Sequence, residues 1–139
     1  MATNYKITYK NHCTPQEYVT ENGRWYLDSD VGARLTGGAN AEITSETQPV
    51  YVASTTLSTS PVSIGATTQD FVFIKNLGST ENNILISLDG NAGQYRIVLA
   101  PGESFASEIT ALEGSQAQNN DIYMATESGT QTVQTLRAT

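Results

Sequence analysis

Apolar and polar residues alternate over short stretches of this chain. In Tyr5–Lys10 every second residue is apolar, and in Gln94–Ala100 one face carries Tyr95, Ile97 and Leu99. This is the period of a half-buried β-strand. Such stretches recur at intervals of about 8–12 residues with turn residues between them, a spacing typical of sandwiches and barrels. Beyond residue 40 the candidate strands are Glu42–Thr47, Val50–Thr55, Asp70–Asn76, Ile84–Asp89, Gln94–Ala100, Ser104–Ile109, Asp121–Thr126 and Gln131–Leu136.

The pattern therefore predicts an all-β fold, an antiparallel β-sandwich of the jelly-roll kind. One segment, Glu108–Gln118, is a helix candidate, which Gly114 and the polar residues around it weaken.

The first 40 residues differ from the rest of the chain. They hold four of the seven Tyr, the single Trp and four of the seven basic residues. Tyr18–Glu21 and Arg24–Leu27 flank Asn22-Gly23, which is a strong signal for a two-residue hairpin turn. Asp28 to Asn40 is predicted to be a loop or linker. We expect an N-terminal arm or hairpin over residues 1–40 and a β-sandwich domain over 41–139. The alternative is that residues 1–40 form the first strands of one domain, and the arm is preferred.

Two later strands carry information about burial. Ile84, Ile86 and Leu88 share one face, while Ser87, Asp89 and Arg96 fall on the opposite, predicted wet face of this strand and the next. These two strands are expected to pair across an Asp89–Gly93 turn.

Phe71-Val72-Phe73-Ile74 instead has apolar residues on both faces. Such a strand is either central in a layered core or covered by another subunit, and the first explanation is the commoner.

The stretch from Thr47 to Gln69 contains no charged residue. Because exposed edge strands usually carry charges that oppose edge-to-edge association, an uncharged edge would have to be paired or covered. A Ser/Thr-rich loop between two strands is the alternative.

Charge excludes several functions. Only 15% of the residues are charged, and the net charge is −7. An acidic chain without clustered Lys and Arg is unsuited to nucleic acid or to an anionic membrane surface. No transmembrane run and no secretory signal is apparent, and the single Cys13 cannot form an internal disulfide. We expect synthesis in a reducing cytoplasm.

No group of residues resembles an active site. His12-Cys13 are adjacent in sequence, which is not how Cys–His enzymes arrange their pair. Asp28–Gly32 and Asp89–Gly93 lack the ligand order of a calcium loop. Paired acids of a hydrolase are not indicated by residue order. We therefore predict no enzyme activity, no catalytic residue, no metal site and no cofactor. The remaining candidate chemistry is aromatic: Tyr9, Tyr18, Trp25 and Tyr26 could stack on a sugar or a partner protein, or fill a core.

The later part of the chain resembles a known group of proteins. Asp70–Gly78, Ile84–Gly90, Tyr95–Ser104 with its Leu99-Ala100-Pro101-Gly102-Glu103 turn, and Asp121–Ala125 are similar to segments of small all-β virion proteins of tailed bacteriophages. The resemblance covers residues 70–126. It implies a structural role, as a capsid decoration or cement subunit or as a neck or tail accessory component, and it carries over no site residues.

The hypothesis is a non-enzymatic, homo-oligomeric virion subunit, assembled in the host cytoplasm. It would contact copies of itself and major capsid or tail proteins. Capsid decoration is preferred over neck or tail, and a carbohydrate-binding module that uses Trp25 and nearby Tyr is the second hypothesis. The residues predicted to form interfaces are Tyr5, Tyr9, Tyr18, Trp25, Tyr26, Phe71 and Phe73.

Overall fold

The structure, a computed structural model, describes residues 3–13, 15–28, 37–64, 71–79, 81–88, 94–108 and 122–138. Its described residues form strands and turns and contain no helix, so the all-β prediction is confirmed. Apart from Glu108, which ends a strand, the helix candidate Glu108–Gln118 lies outside the described residues. The strands are β1 (Tyr5–Cys13), β2 (Glu17–Glu21), β3 (Arg24–Asp28), β4 (Gly37–Ser45), β5 (Val50–Leu57), β6 (Val62–Ser63), β7 (Phe71–Asn76), β8 (Ile84–Ser87), β9 (Ile97–Leu99), β10 (Ser104–Glu108), β11 (Tyr123–Thr126) and β12 (Gln131–Ala138).

Contacts along the chain divide it into two compact units. One unit comprises Met1–Ile7 and Ile43–Thr139, and the other is Thr8–Glu42. β1 pairs with β4, and β2 pairs with β3. Because β4 begins at Gly37, the predicted loop Asp28–Asn40 is wrong over its last residues; the residues between β3 and β4 lie outside the described part of the chain.

The larger unit contains two four-stranded antiparallel sheets. Sheet 1 has the order β10-β7-β12-β5, and sheet 2 has the order β6-β11-β8-β9. Both sheets contribute to one cluster of buried side chains, so their apolar faces share a single core. The members of this cluster are Leu57, Val72, Ile74 and Val133 from sheet 1, and Ile84, Ile86, Leu99, Met124 and the neighbouring Ile122 from sheet 2.

The strand with two apolar faces, β7, lies inside sheet 1 between β10 and β12. Phe71, Val72 and Ile74 are buried and Phe73 is partly buried. The shared core accounts for the face with Val72 and Ile74. Phe71 and Phe73 alternate with these residues and therefore lie on the opposite face of the sheet, which the central position by itself does not explain.

β8 and β9 pair as predicted, with Ile84 opposite Leu99 and Ile86 opposite Ile97. The predicted wet face is wrong at Ser87, which is fully buried. The reason is β11, which pairs with the other edge of β8 and places Tyr123 opposite Ser87. Arg96 is exposed as predicted, and Asp89 lies outside the described residues.

The uncharged stretch forms two strands, β5 and the very short β6, and both lie at sheet edges. Residues 65–69 of this stretch are outside the described part of the chain. The pairing of β5 with β12 shifts between Val133 and Thr135: these two residues face Thr55 and Val52, so β5 has one extra residue there. This is a β-bulge, which increases local twist and interrupts the regular edge.

Candidate interaction surface

β2 and β3 form a hairpin closed by the two-residue turn Asn22-Gly23. Their φ angles are 52° and 76°, the left-handed values that a type I′ turn requires at both positions. Glycine adopts this conformation freely, and asparagine tolerates it better than most residues. The turn fixes Glu21 opposite Arg24, and the hairpin predicted from the sequence is therefore confirmed.

The register sorts the hairpin residues into two faces. Thr20 lies opposite Trp25, and Tyr18 lies opposite Leu27. Because side chains alternate along a strand, these four share one side of the hairpin, which we call the aromatic face. Trp25 is 71% exposed, Leu27 50% and Tyr18 49%. None of the four side chains carries a charge.

The opposite side, which we call the charged face, holds the remaining positions. Val19 lies opposite Tyr26 at its centre, and both are exposed. Glu21 and Arg24 form the row next to the turn, and positions 17 and 28 form the row at the far end, with glutamate opposite aspartate. Apolar side chains are thus exposed on both faces of the hairpin.

This exposure makes the hairpin a candidate contact surface. A two-stranded hairpin without a covered face is marginally stable in water, because it buries too little apolar area. Tyr and Trp contribute disproportionately to binding energy at protein interfaces, and they also stack on sugar rings. An uncharged face containing Tyr18, Trp25 and Leu27 fits both uses.

The structure brings together only some of the residues predicted to form interfaces. Tyr18 and Trp25 share the aromatic face, whereas Tyr26 belongs to the charged face. Tyr5 and Tyr9 lie in β1 and are partly buried. Phe71 is 3% exposed within β7, so its ring is in the interior of the larger unit. Leu27 was not singled out by the sequence analysis, although alternation from Trp25 within the predicted strand would have found it.

Sequence reasoning also missed a buried amide cluster at one end of the larger unit. Asn76, at the end of β7, is fully buried and donates from Nδ2 to the carbonyl of Leu99 (2.9 Å) and to that of Asn82 (3.1 Å). Its Oδ1 accepts from the backbone N–H of Gly78 at 2.9 Å. Gln131 donates from Nε2 to the same Asn82 carbonyl at 2.9 Å. The cluster joins both sheets, since β7 and β12 belong to sheet 1 and β9 to sheet 2.

The other candidate chemistry concerns His12-Cys13 and possible metal ligands. His12 and Cys13 lie at the end of β1. Among the described residues no three His, Cys, Asp or Glu side chains are grouped so that they could hold a metal ion. Beyond Asp28, the two possible calcium loops lie outside the described residues. No helix in the described part of the chain is long and apolar enough to cross a membrane.

Comparisons with protein-family models, with curated proteins and with solved structures give no match to this chain.

Proposed function

We propose that this chain is a non-enzymatic structural subunit of a tailed-phage virion, most simply a capsid decoration or cement protein. Its larger unit would be a β-sandwich of the jelly-roll kind. Two observations support that part of the proposal: two four-stranded antiparallel sheets share one core, and the strand sequences over 70–126 resemble those of small all-β virion proteins.

The observation that carries the proposal is the aromatic face. A subunit that stabilises a particle acts by protein–protein contact, and it needs exposed side chains that gain much free energy when covered. Trp25, Tyr18 and Leu27 provide such a set on a hairpin that belongs to its own compact unit. Capsid or tail proteins and further copies of the chain are the proposed partners, in virions assembled in the host cytoplasm.

Acidity supports an outer position. The net charge of −7 opposes contact with packaged DNA, whose phosphates attract Lys and Arg. A place on the outer capsid surface or on the tail is consistent with this charge.

The test is co-sedimentation of the purified chain with particles of the phage or prophage whose genome encodes it. Empty capsids and isolated tails are assayed separately, so that decoration and tail attachment give different results. Binding to capsids supports the decoration role, binding to tails supports the accessory role, and binding to neither overturns the proposal.

Trp25→Ala provides the matched test of the surface. Since Trp25 is mostly exposed, its removal should leave the fold intact and weaken binding by about tenfold or more. The control is Tyr51→Ala, because Tyr51 is a 60% exposed aromatic residue in the other unit. Equal losses for both variants would mean that the aromatic face is not the contact surface.

A second candidate function follows from the same side chain. An exposed Trp beside an exposed Tyr is a platform on which a sugar ring can stack, so the chain could instead be a carbohydrate-binding module. Calorimetry with polysaccharides separates the two: saturable binding that Trp25→Ala abolishes, without particle binding, would favour the module.

A further inference from the structure

The two outer edges of the β2–β3 hairpin differ in a way that identifies a partner. Among the described residues, β2 and β3 form a sheet of two strands, so within that part of the chain each pairs on one side only. An unpaired strand edge is a template for another strand. The sequence of each edge strand decides which strand it can accept.

β3 is complementary to itself in the antiparallel direction. With a two-fold axis at Tyr26, Arg24 lies opposite Asp28 of a second copy, and Trp25 lies opposite Leu27 of that copy. The pairing therefore matches opposite charges at both ends and apolar side chains between them. Opposite-charge and aromatic–aliphatic cross-strand pairs are both stabilising.

β2 is self-repelling under the same operation. A two-fold axis at Val19 would place Glu17 opposite Glu21 of a second copy. Like charges directly opposite each other destabilise a strand pair. The difference selects the β3 edge.

The backbone of β3 has the matching hydrogen-bond pattern. In a hairpin with a two-residue loop, the residues flanking the loop, Glu21 and Arg24, form a hydrogen-bonded pair. The pattern then alternates, so that on β3 the N–H and C=O groups of Trp25 and Leu27 point away from β2. These are the two residues that the axis at Tyr26 pairs with each other, so each pair can exchange both of its main-chain hydrogen bonds.

We propose that the chain forms a two-fold dimer in which β3 pairs with β3 of a second copy, giving the strand order β2-β3-β3-β2. The second copy is a partner for the aromatic face, and only the use of the dimer in a virion rests on the proposed function. Pairing extends the aromatic face across the axis. One continuous row of side chains then crosses all four strands: Tyr18 and Leu27 of one copy, followed by Trp25 and Thr20 of the second copy. The two-fold axis generates an equivalent row beside it. An isologous interface of this kind closes at two copies, so it limits growth into fibres.

Charge reversal at the two ends of β3 tests the dimer. In Arg24→Asp, and separately in Asp28→Arg, both end pairs become like-charged, and the Kd for dimerisation measured by sedimentation equilibrium should rise at least about tenfold. Mixing the two variants restores opposite charges at both ends, so they should form a heterodimer with each other although neither pairs well with itself. This restoration also shows that both variants remain folded. Glu21→Gln, on β2, is the control and should dimerise like the wild type.

Cross-linking provides an independent measurement. Across the two-fold axis, the Cα atoms of the two Tyr26 residues form a non-hydrogen-bonded pair about 4.5 Å apart, within the range of a disulfide. In a Cys13→Ser background, Tyr26→Cys should form a disulfide-linked dimer under mild oxidation. Val19→Cys, exposed on the same face of β2, should not.

A monomeric wild type, a failure of the mixed variants to associate, or equal cross-linking at positions 19 and 26 would each overturn the dimer. Particle binding is measured separately by co-sedimentation. A monomer that still binds capsids contradicts the dimer and leaves the proposed function standing, whereas a dimer that binds neither capsids nor tails contradicts the proposed function alone.

Discussion

The side chain of Asn76 donates a 2.9 Å hydrogen bond to the main-chain carbonyl of Leu99, and this bond connects sheet 1 to sheet 2 at one end of the larger unit. Asn76 is fully buried, and both its Nδ2 and its Oδ1 have main-chain partners. A buried amide with all of its groups bonded is stable, but each partner depends on it.

Asn76→Ala should therefore destabilise the larger unit strongly. The substitution leaves the carbonyl of Leu99 and the N–H of Gly78 without the amide that they contact, whereas the carbonyl of Asn82 keeps its hydrogen bond from Gln131. At about 1–3 kcal/mol for each buried group left unsatisfied, we expect a loss of about 3 kcal/mol in the free energy of unfolding, measured by urea denaturation. Asn83→Ala removes an exposed 2.7 Å bond to Glu127 and should cost less than about 1 kcal/mol. Equal losses for the two variants would contradict the argument.

Gly78 packs directly on Gln131. A Cβ at position 78 would lie 2.0 Å from Cδ and Oε1 of that side chain, which is 6% exposed and bonded to Asn82. We expect Gly78→Ala to lower the free energy of unfolding by about 1–3 kcal/mol, because the amide must move. The expected loss of stability comes from this steric clash and not from a positive φ at Gly78.

A double-mutant cycle identifies that cause. In a Gln131→Ala background the same glycine substitution should cost much less, since the colliding atoms are gone. Additive losses would mean that position 78 acts through some other contact.

The type I′ turn makes Gly23 a test of the hairpin alone. A β-branched residue at φ 76° is strained, so Gly23→Val should destabilise the hairpin by about 1–2 kcal/mol. Trp25 is the only Trp in the chain, and its fluorescence reports on the hairpin directly. We expect an altered Trp25 emission, with the urea midpoint of the larger unit unchanged. A Gly23→Ala variant should show the same change more weakly, and an unaltered emission in both would contradict the turn assignment.

Core packing is tested on neighbouring strands of sheet 2. Ile86, on β8, is fully buried in the shared core, whereas Val98, on β9, is 54% exposed. Ile86→Ala should cost about 2–5 kcal/mol in unfolding free energy, and Val98→Ala should change it by about 0.5 kcal/mol or less. Similar values for both would show that the apolar face of sheet 2 has been assigned to the wrong side.

The sequence predicts strands well where alternation is regular. The structure confirms strand β8, with Ile84 and Ile86, and the Asn22-Gly23 turn. Both could be predicted because an alternating pattern and a turn sequence involve only neighbouring residues. β6 was not predicted, because a strand of two residues, Val62 and Ser63, is too short to show an alternating pattern.

Local sequence patterns do not predict which strands pair side by side in a sheet. The burial of Ser87 depends on β11, and that of Asn76 depends on Leu99 and Asn82, which are distant in sequence or lie in a turn. The aromatic face was predicted in part, since Tyr18 and Trp25 were candidates, but their sharing of a face with Leu27 follows from the register.

The bulge in β5 has a consequence for how this chain behaves in different solvents. β5 lies at a sheet edge, and its eight residues include no charge. An edge that relies on like-charge repulsion becomes more adhesive when salt screens it. A bulged backbone keeps its shape at any ionic strength, so the bulge protects this edge through its geometry and not through charge. The resistance of this edge to pairing with other strands should therefore not fall as the salt concentration rises.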